Sequence, residues 1–200
     1  LILGVAAGWY AREFDAVGVP FKQRGRLFER NLEILTRLWT EDRVTLQADE
    51  FNLREAVMRP PTVQRPRPPI LIGGGGERVL MGIAVRHADI WNNLAVFQPQ
   101  LGAKIVALRR RCDELGRDFD SIEVSQQCVV VIAADHERAR ADLEKAKKLY
   151  GGHLGGALEE HGIWGSPEGV IERIERHVKL GCSFFPIEFF GRDTREPARL

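Results

Sequence analysis

Between Ile72 and Arg78 the chain reads IGGGGER, four consecutive glycines closed by an acid and a guanidinium. Glycines leave backbone N–H groups uncovered, and a helical pattern follows at once, with Val79, Leu80, Ile83 and Ala84 on one face. An anion is favoured at such a point by the unpaired donors and by the helix dipole. Gly74, Gly75, Gly76, Glu77 and Arg78 are therefore candidates to hold a phosphate group. The same run also reads as a tight strand-to-helix connection that uses positive φ angles. It is not the dinucleotide fingerprint, which needs a third glycine further on and an acid after the next strand. Nor is it a Walker loop, since no Lys-Ser or Lys-Thr closes it.

Other reactive side chains form no recognisable constellation. His87, His136, His153, His161 and His177 show no HExxH spacing, and Cys112, Cys128 and Cys182 form no CxxC, so no metal site is expected. No GxSxG elbow is present. His87 ends a helix, where a cation suits the dipole and the role is structural. Arg109, Arg110 and Arg111 read as a solvated helix face. Trp9 and Trp91 each follow a strand and are balanced between lining a ligand pocket and filling core. Phe28 and Trp39, at helical spacing, read as core.

The elements that position these residues alternate. Leu1–Val5 is a continuous apolar strand ending in Ala6-Ala7-Gly8-Trp9-Tyr10, small residues that let a ligand or backbone come close. After a loop with Gly18 and Pro20, residues Arg24–Trp39 form an amphipathic helix with Leu27, Phe28, Leu32, Leu35, Leu38 and Trp39 on its stripe. Val44–Leu46 and Phe51–Leu53 suggest a hairpin around a Gln47–Glu50 turn. Met58–Pro69, with five prolines, is an extended surface connector. Ile70–Ile72, the glycine turn, its helix and Ala88–Trp91 make one βαβ unit.

A helix starts with Pro99 at its first position and stops at Gly116. Ile122–Ile132 is the next strand, and Asp135 caps a charged helix to about Tyr150. Gly151–Gly165 reads as an irregular loop. Ser166-Pro167-Glu168 opens a helix that Gly181 ends, and Ser183–Phe190 is the last strand. Five apolar strands alternating with helices mean a parallel α/β sheet. An open doubly wound sheet and part of a (β/α)8 barrel both satisfy this pattern.

Composition sets outer limits. Two hundred residues at 44% hydrophobic suit a single domain over 1–200, and a net charge of +1 supplies no basic stripe for nucleic acid. No apolar stretch approaches the roughly 20 residues of a membrane span, and no signal peptide is visible. Cys128 and Cys182 lie in or beside apolar strands, as reduced thiols of a cytoplasmic protein would. Leu1 opens directly in strand-like sequence, from which a missing upstream part is expected.

LGVAAGWY with Glu13, RGRLFERNLEILTRLWTED, VQRPRPPILIGGGGER, RHADIWNN and GSPEGVIERIERHVKLGC, in this order, resemble the bacterial luciferase-like monooxygenase superfamily. The likeness is nearest to its F420-dependent oxidoreductase branch and covers nearly the whole chain. It implies a C-terminal portion of a TIM barrel, strands four to eight with an inserted β-hairpin. It implies coenzyme F420 as cofactor, with FMN as the alternative, and hydride transfer to a small organic substrate. The alternatives are an FMN-dependent monooxygenase using oxygen and a non-catalytic flavin-binding or structural fragment.

By the same resemblance, Val5, Ala6, Ala7, Gly8 and Trp9 line the flavin or deazaflavin ring and Gly74–Arg78 bind phosphate. Ala88-Asp89-Ile90-Trp91-Asn92 matches the family's Ala-Asp-Gly-Trp strand with Ile90 replacing glycine. Ala6 stands where the family favours glycine, and Trp9 where its deazaflavin dehydrogenases carry an acid. Glu13 and Tyr10 are then the nearest catalytic candidates. A histidine and a non-prolyl cis peptide that the family carries on early strands would lie upstream, so this stretch alone is not expected to turn over. The resemblance also allows a homodimer of the longer protein.

Overall fold

The computed structural model describes residues 1–48, 51–154 and 158–191. Nine strands are described: β1 (Leu3–Val5), β2 (Val44–Ala48), β3 (Phe51–Ala56), β4 (Ile70–Gly73), β5 (Ile90–Asn93), β6 (Glu123–Gln126), β7 (Cys128–Ile132), β8 (Ile163–Gly165) and β9 (Ile187–Phe189). The helices are α1 (Ala11–Ala16), α2 (Arg24–Thr40), α3 (Leu80–His87), α4 (Leu101–Leu115), α5 (His136–Leu154), α6 (Leu158–His161) and α7 (Pro167–Lys179). Among the described residues no helix is long and apolar enough to cross a membrane.

The main sheet runs β1-β4-β5-β6, every pair parallel. Each βα crossover therefore steps to the same side, with no reversal of order. Side chains alternate across such strands. Ile70, Ile72, Trp91 and Val124 turn to one face, where they pack with Leu32 of α2, Ile83 and Ala84 of α3 and Leu108 of α4. Gly4, Leu71, Gly73, Ile90, Asn92 and Ser125 fall on the other face. Burying one Ile or Leu side chain contributes about 1.5–3 kcal/mol. This helix-side layer is thus what fixes the sheet.

The strand expected over Ile122–Ile132 is broken at Gln127. Its two halves share one ladder with the last strand: Ser183 N–H to Val124 O (3.0 Å), Gln126 N–H to Phe184 O (3.1 Å) and Cys128 N–H to Pro186 O (3.1 Å). β7 then lies between β8 and β9, with α5 against one face and α7 against the other. The stretch expected as an irregular loop, 151–165, is different. Gly151 (φ 54°) kinks α5, and α6 and β8 follow. Ile163, Trp164 and Gly165 are all buried, so β8 shows no alternation to betray it.

Most boundaries follow local chemistry. The Asp135 carboxylate accepts from Arg138 N–H, Ser166 Oγ from Gly169 N–H, and Gly116 closes α4 at φ 68°. Pro99 sits in a 3₁₀ turn over Ala95–Gln100, so α4 begins two residues later than expected. β2 and β3 pair as the anticipated hairpin, while Asp49 and Glu50 of its turn lie outside the described residues.

Candidate functional site

Because β1 and β4 pair in parallel register, Val5 beside Ile72, the small-residue exit after Val5 and the glycine turn leave the same sheet edge. Gly8 has φ +80°, and a Cβ there would stand 2.7 Å from the Phe14 ring, so only glycine fits. Ala6, Ala7 and Gly8, with Glu13, line a cleft of about 750 Å³ whose walls are otherwise mostly apolar, among them Phe14, Leu27 and Phe28. Glu13 is the one acid among its lining residues. Trp9 is 73% exposed and Tyr10 lies beside it, the rings tilted at 44° with centroids 5.5 Å apart, while Val5 departs from expectation by packing against the helix-side core; none of the three is among the residues that line the cleft.

The glycine turn is held from beneath, one carbonyl at a time. Trp91 Nε1–H donates to Gly74 O at 3.1 Å, Lys104 Nζ to Gly75 O at 2.8 Å, and Met81 N–H to Gly76 O at 3.0 Å. In a trans peptide the N–H of the next residue points opposite to that carbonyl. Pinning carbonyls 74, 75 and 76 therefore turns the N–H groups of Gly75, Gly76 and Glu77 away from the support. None of these three, nor the N–H of Arg78, has an acceptor among the described residues. Gly74 departs from expectation, because its N–H is taken by Asn92 O at 3.2 Å and extends the ladder.

Trp91 also departs. It is fully buried in the helix-side core, so the indole is not among the residues lining the cleft at Ala6–Gly8 and meets the turn through its N–H. Lys104 was not foreseen; it lies on α4, and nothing in ALRRR or GAKIV marks it as buried. Its ammonium also pairs with Glu77 at 2.8 Å, and that hydrogen bond holds the Glu77 carboxyl below the usual carboxylate range. The Arg109–Arg111 run is more than a solvated face. Arg109 stacks on Phe119 at 3.8 Å, while Arg111 pairs with Glu114 at 2.6 Å and approaches Arg78 O at 3.4 Å. Arg78, Arg110, Arg111, Glu77 and Glu114 frame a charged cleft of about 360 Å³ beside the turn.

A polar row at the ends of β5 and β6 was also missed. Asn92 Oδ1 accepts from Ser125 Oγ at 2.8 Å, and Asn93 Nδ2 donates to Gln126 Oε1 at 2.7 Å; all four residues are buried. The doublets Asn92-Asn93 and Ser125-Gln126, each ending a strand, were the available signal. Burial pushes the Cys128 thiol up to about 12 and Cys182 to about 11, so neither supplies a thiolate nucleophile at neutral pH. His87 lies against Glu29 at 3.5 Å, with its pKa lowered by burial.

A family model described as luciferase-like monooxygenase matches residues 1–183. An FMNH2-dependent dimethylsulfone monooxygenase of Pseudomonas putida is 25% identical over 146 residues, 72% of this chain and 39% of that protein. An F420-dependent glucose-6-phosphate dehydrogenase of Nakamurella multipartita is 27% identical over 149 residues, 71% of this chain and 42% of that protein. The chain thus spans about two fifths of the length of these curated relatives. Among solved structures, an F420-dependent secondary alcohol dehydrogenase in complex with an F420-acetone adduct superposes with a TM-score of 0.75 at 17% identity. That superposition covers 96% of this chain and 64% of the other, and at such identity it shows the shared α/β fold.

Proposed function

The chain belongs to the luciferase-like monooxygenase family, and from that premise we propose that it is part of an oxidoreductase that moves a hydride between coenzyme F420 and a small organic substrate. The single observation that carries this reading is the run of N–H groups at Gly75, Gly76 and Glu77 that have no acceptor among the described residues, beside the Ala6–Gly8 exit on the same sheet edge. The residues fit a phosphorylated flavin-type cofactor. Gly76 is exposed with ordinary space around it, and Arg78 brings a cation to the same turn. In this reading the phosphate rests on Gly75–Arg78 and the ring lies against Ala6–Gly8.

When bound, the cofactor supplies the hydride chemistry. The chain fixes the ring, excludes water with the apolar wall of Phe14, Leu27 and Phe28, and offers Glu13 as the group that exchanges a proton with substrate. Tyr10, exposed beside Trp9, is the second candidate for that role. We further assign residues 1–200 to one domain, strands four to eight of a TIM barrel with β2–β3 as its inserted hairpin. The unreversed order β1-β4-β5-β6, with α2, α3 and α4 packed on one face, supports the barrel over a doubly wound sheet.

A second reading, an FMN-dependent monooxygenase, is favoured by the dimethylsulfone monooxygenase relative. Titrating the whole protein with F420 and with FMN, and following fluorescence, separates the two. Saturable binding of F420 supports the hydride-transfer reading, FMN alone the monooxygenase, and neither a structural role. Gly76→Asp should weaken binding of the preferred cofactor by tenfold or more, about the value of a charged hydrogen bond set against a like charge. Gly76→Ala, whose Cβ would meet Leu80 at 3.7 Å, should leave it unchanged. Equal affinity in Gly76→Asp removes the phosphate from this turn.

A further inference from the structure

Lys104 stands on α4 with its ammonium buried, a placement that is costly unless the charge is compensated. It has two partners, the Gly75 carbonyl and the Glu77 carboxylate, each at 2.8 Å, and it lies 5.3 Å from the centroid of the Phe97 ring. That ring fills the space on which Gly75 would carry a side chain. Both partners belong to the turn, so Lys104 is tied to it twice.

We propose that Lys104 is the positioning residue that makes this turn selective for an anion. The inference rests on reading the turn as the phosphate site. Two effects follow from the same ammonium. Holding the Gly75 carbonyl inward keeps the Gly76 N–H outward, because the two share one planar peptide unit. Neutralising Glu77 removes a fixed carboxylate that would otherwise repel an incoming phosphate or compete for the same N–H groups. A salt bridge that merely fastened α4 to the turn would stabilise the fold and treat charged and uncharged ligands alike. A positioning residue separates them.

The test uses ligand pairs on the whole protein: F420 against its phosphate-free ribityl deazaflavin core, and FMN against riboflavin, each titrated by fluorescence. The unaltered protein should bind the phosphorylated member more tightly. Lys104→Met, which keeps the length of the side chain, should lose about tenfold in affinity for that member and leave the phosphate-free one unchanged. If the unaltered protein discriminates and Lys104→Met discriminates equally well, the inference is overturned while the phosphate reading stands. If the unaltered protein does not discriminate at all, the phosphate reading falls and takes the inference with it. Should Lys104→Met not fold, the exposed Glu77→Gln decides. Freed of its partner, the ammonium should raise affinity for the phosphorylated member several-fold with no change for its core, and an unchanged ratio overturns the proposal.

Discussion

Gly75 and Gly76 are neighbours with opposite tolerances. A Cβ on Gly75 would stand 2.5 Å from the Phe97 ring, whereas on Gly76 its nearest contact is Leu80 at 3.7 Å. Gly75→Ala should therefore cost about 1–3 kcal/mol, the usual penalty for forcing a methyl into a packed site. Gly76→Ala should stay within about 0.5 kcal/mol of the parent. Urea midpoints check both, and combining Gly75→Ala with Phe97→Leu should recover part of the loss, a coupling expected only of residues in contact. Additive losses in the double variant would show that Phe97 is not the obstacle. The sequence marked all four glycines alike, as one flexible turn. It could not tell which is compressed, which is open and which belongs to the ladder, because Phe97 and Asn92, some twenty residues downstream, make the difference. Trp91 was visible as an aromatic at a strand end, but the side of the sheet it faces is set by register, which one strand's composition does not reveal.

At the scale of elements, local signals were legible wherever they were local. Ser166-Pro167 opens α7, Gly116 closes α4, and the stripe of α2 reaches the core through Leu32, Phe28 and Trp39. β8 was illegible because Ile163 and Trp164 are buried without alternation and the strand has three residues. The contact between α7 and the 3₁₀ turn Ala95–Gln100 was equally hidden, since it joins residues 79 apart. There His177 Nε2 lies 2.9 Å from Gln98 Nε2 and Nδ1 lies 2.7 Å from Arg173 O. Nδ1 must then carry the hydrogen toward the carbonyl, and Nε2 must accept from Gln98, so the ring is neutral. Burial lowers the His177 pKa, with the positive charges of Arg173, Arg176 and His161 adding to it and the Arg173 carbonyl opposing. With the folded pKa below the unfolded one, the unfolded chain takes up the proton first as pH falls. This contribution is present above the unfolded value of about 6.5 and is lost as pH drops from there through the folded pKa. The urea midpoint should accordingly fall between about pH 7.5 and about pH 5.5, and His177→Gln should flatten that slope. A slope unchanged by His177→Gln would assign the pH dependence to other groups, His87 first among them because its pKa is lowered in the same direction.

For the whole molecule, the decisive property is that the main sheet is wound in one direction. Helices cover one face, and the other carries Gly4, Gly73, Asn92 and Ser125 beside Leu71 and Ile90, with Gly4 exposed. β1 pairs with β4 on one side and has no partner on the other among the described residues, so the N–H and C=O groups that point away from β4 form an open edge next to exposed Leu1 and Ile2. An open, apolar parallel edge is a template for another strand. The 200-residue chain on its own should therefore self-associate as its concentration rises. Sedimentation velocity over a concentration series should show species heavier than the 22.6 kDa monomer. Ile2→Lys, which sets a charge at that edge without touching the core, should shift the distribution back toward monomer. If association persists unchanged in Ile2→Lys, the exposed edge is not its cause. A chain that stays a single sharp monomer throughout would mean that this edge is already satisfied, and that the sheet's open side is not the face of an unfinished cylinder.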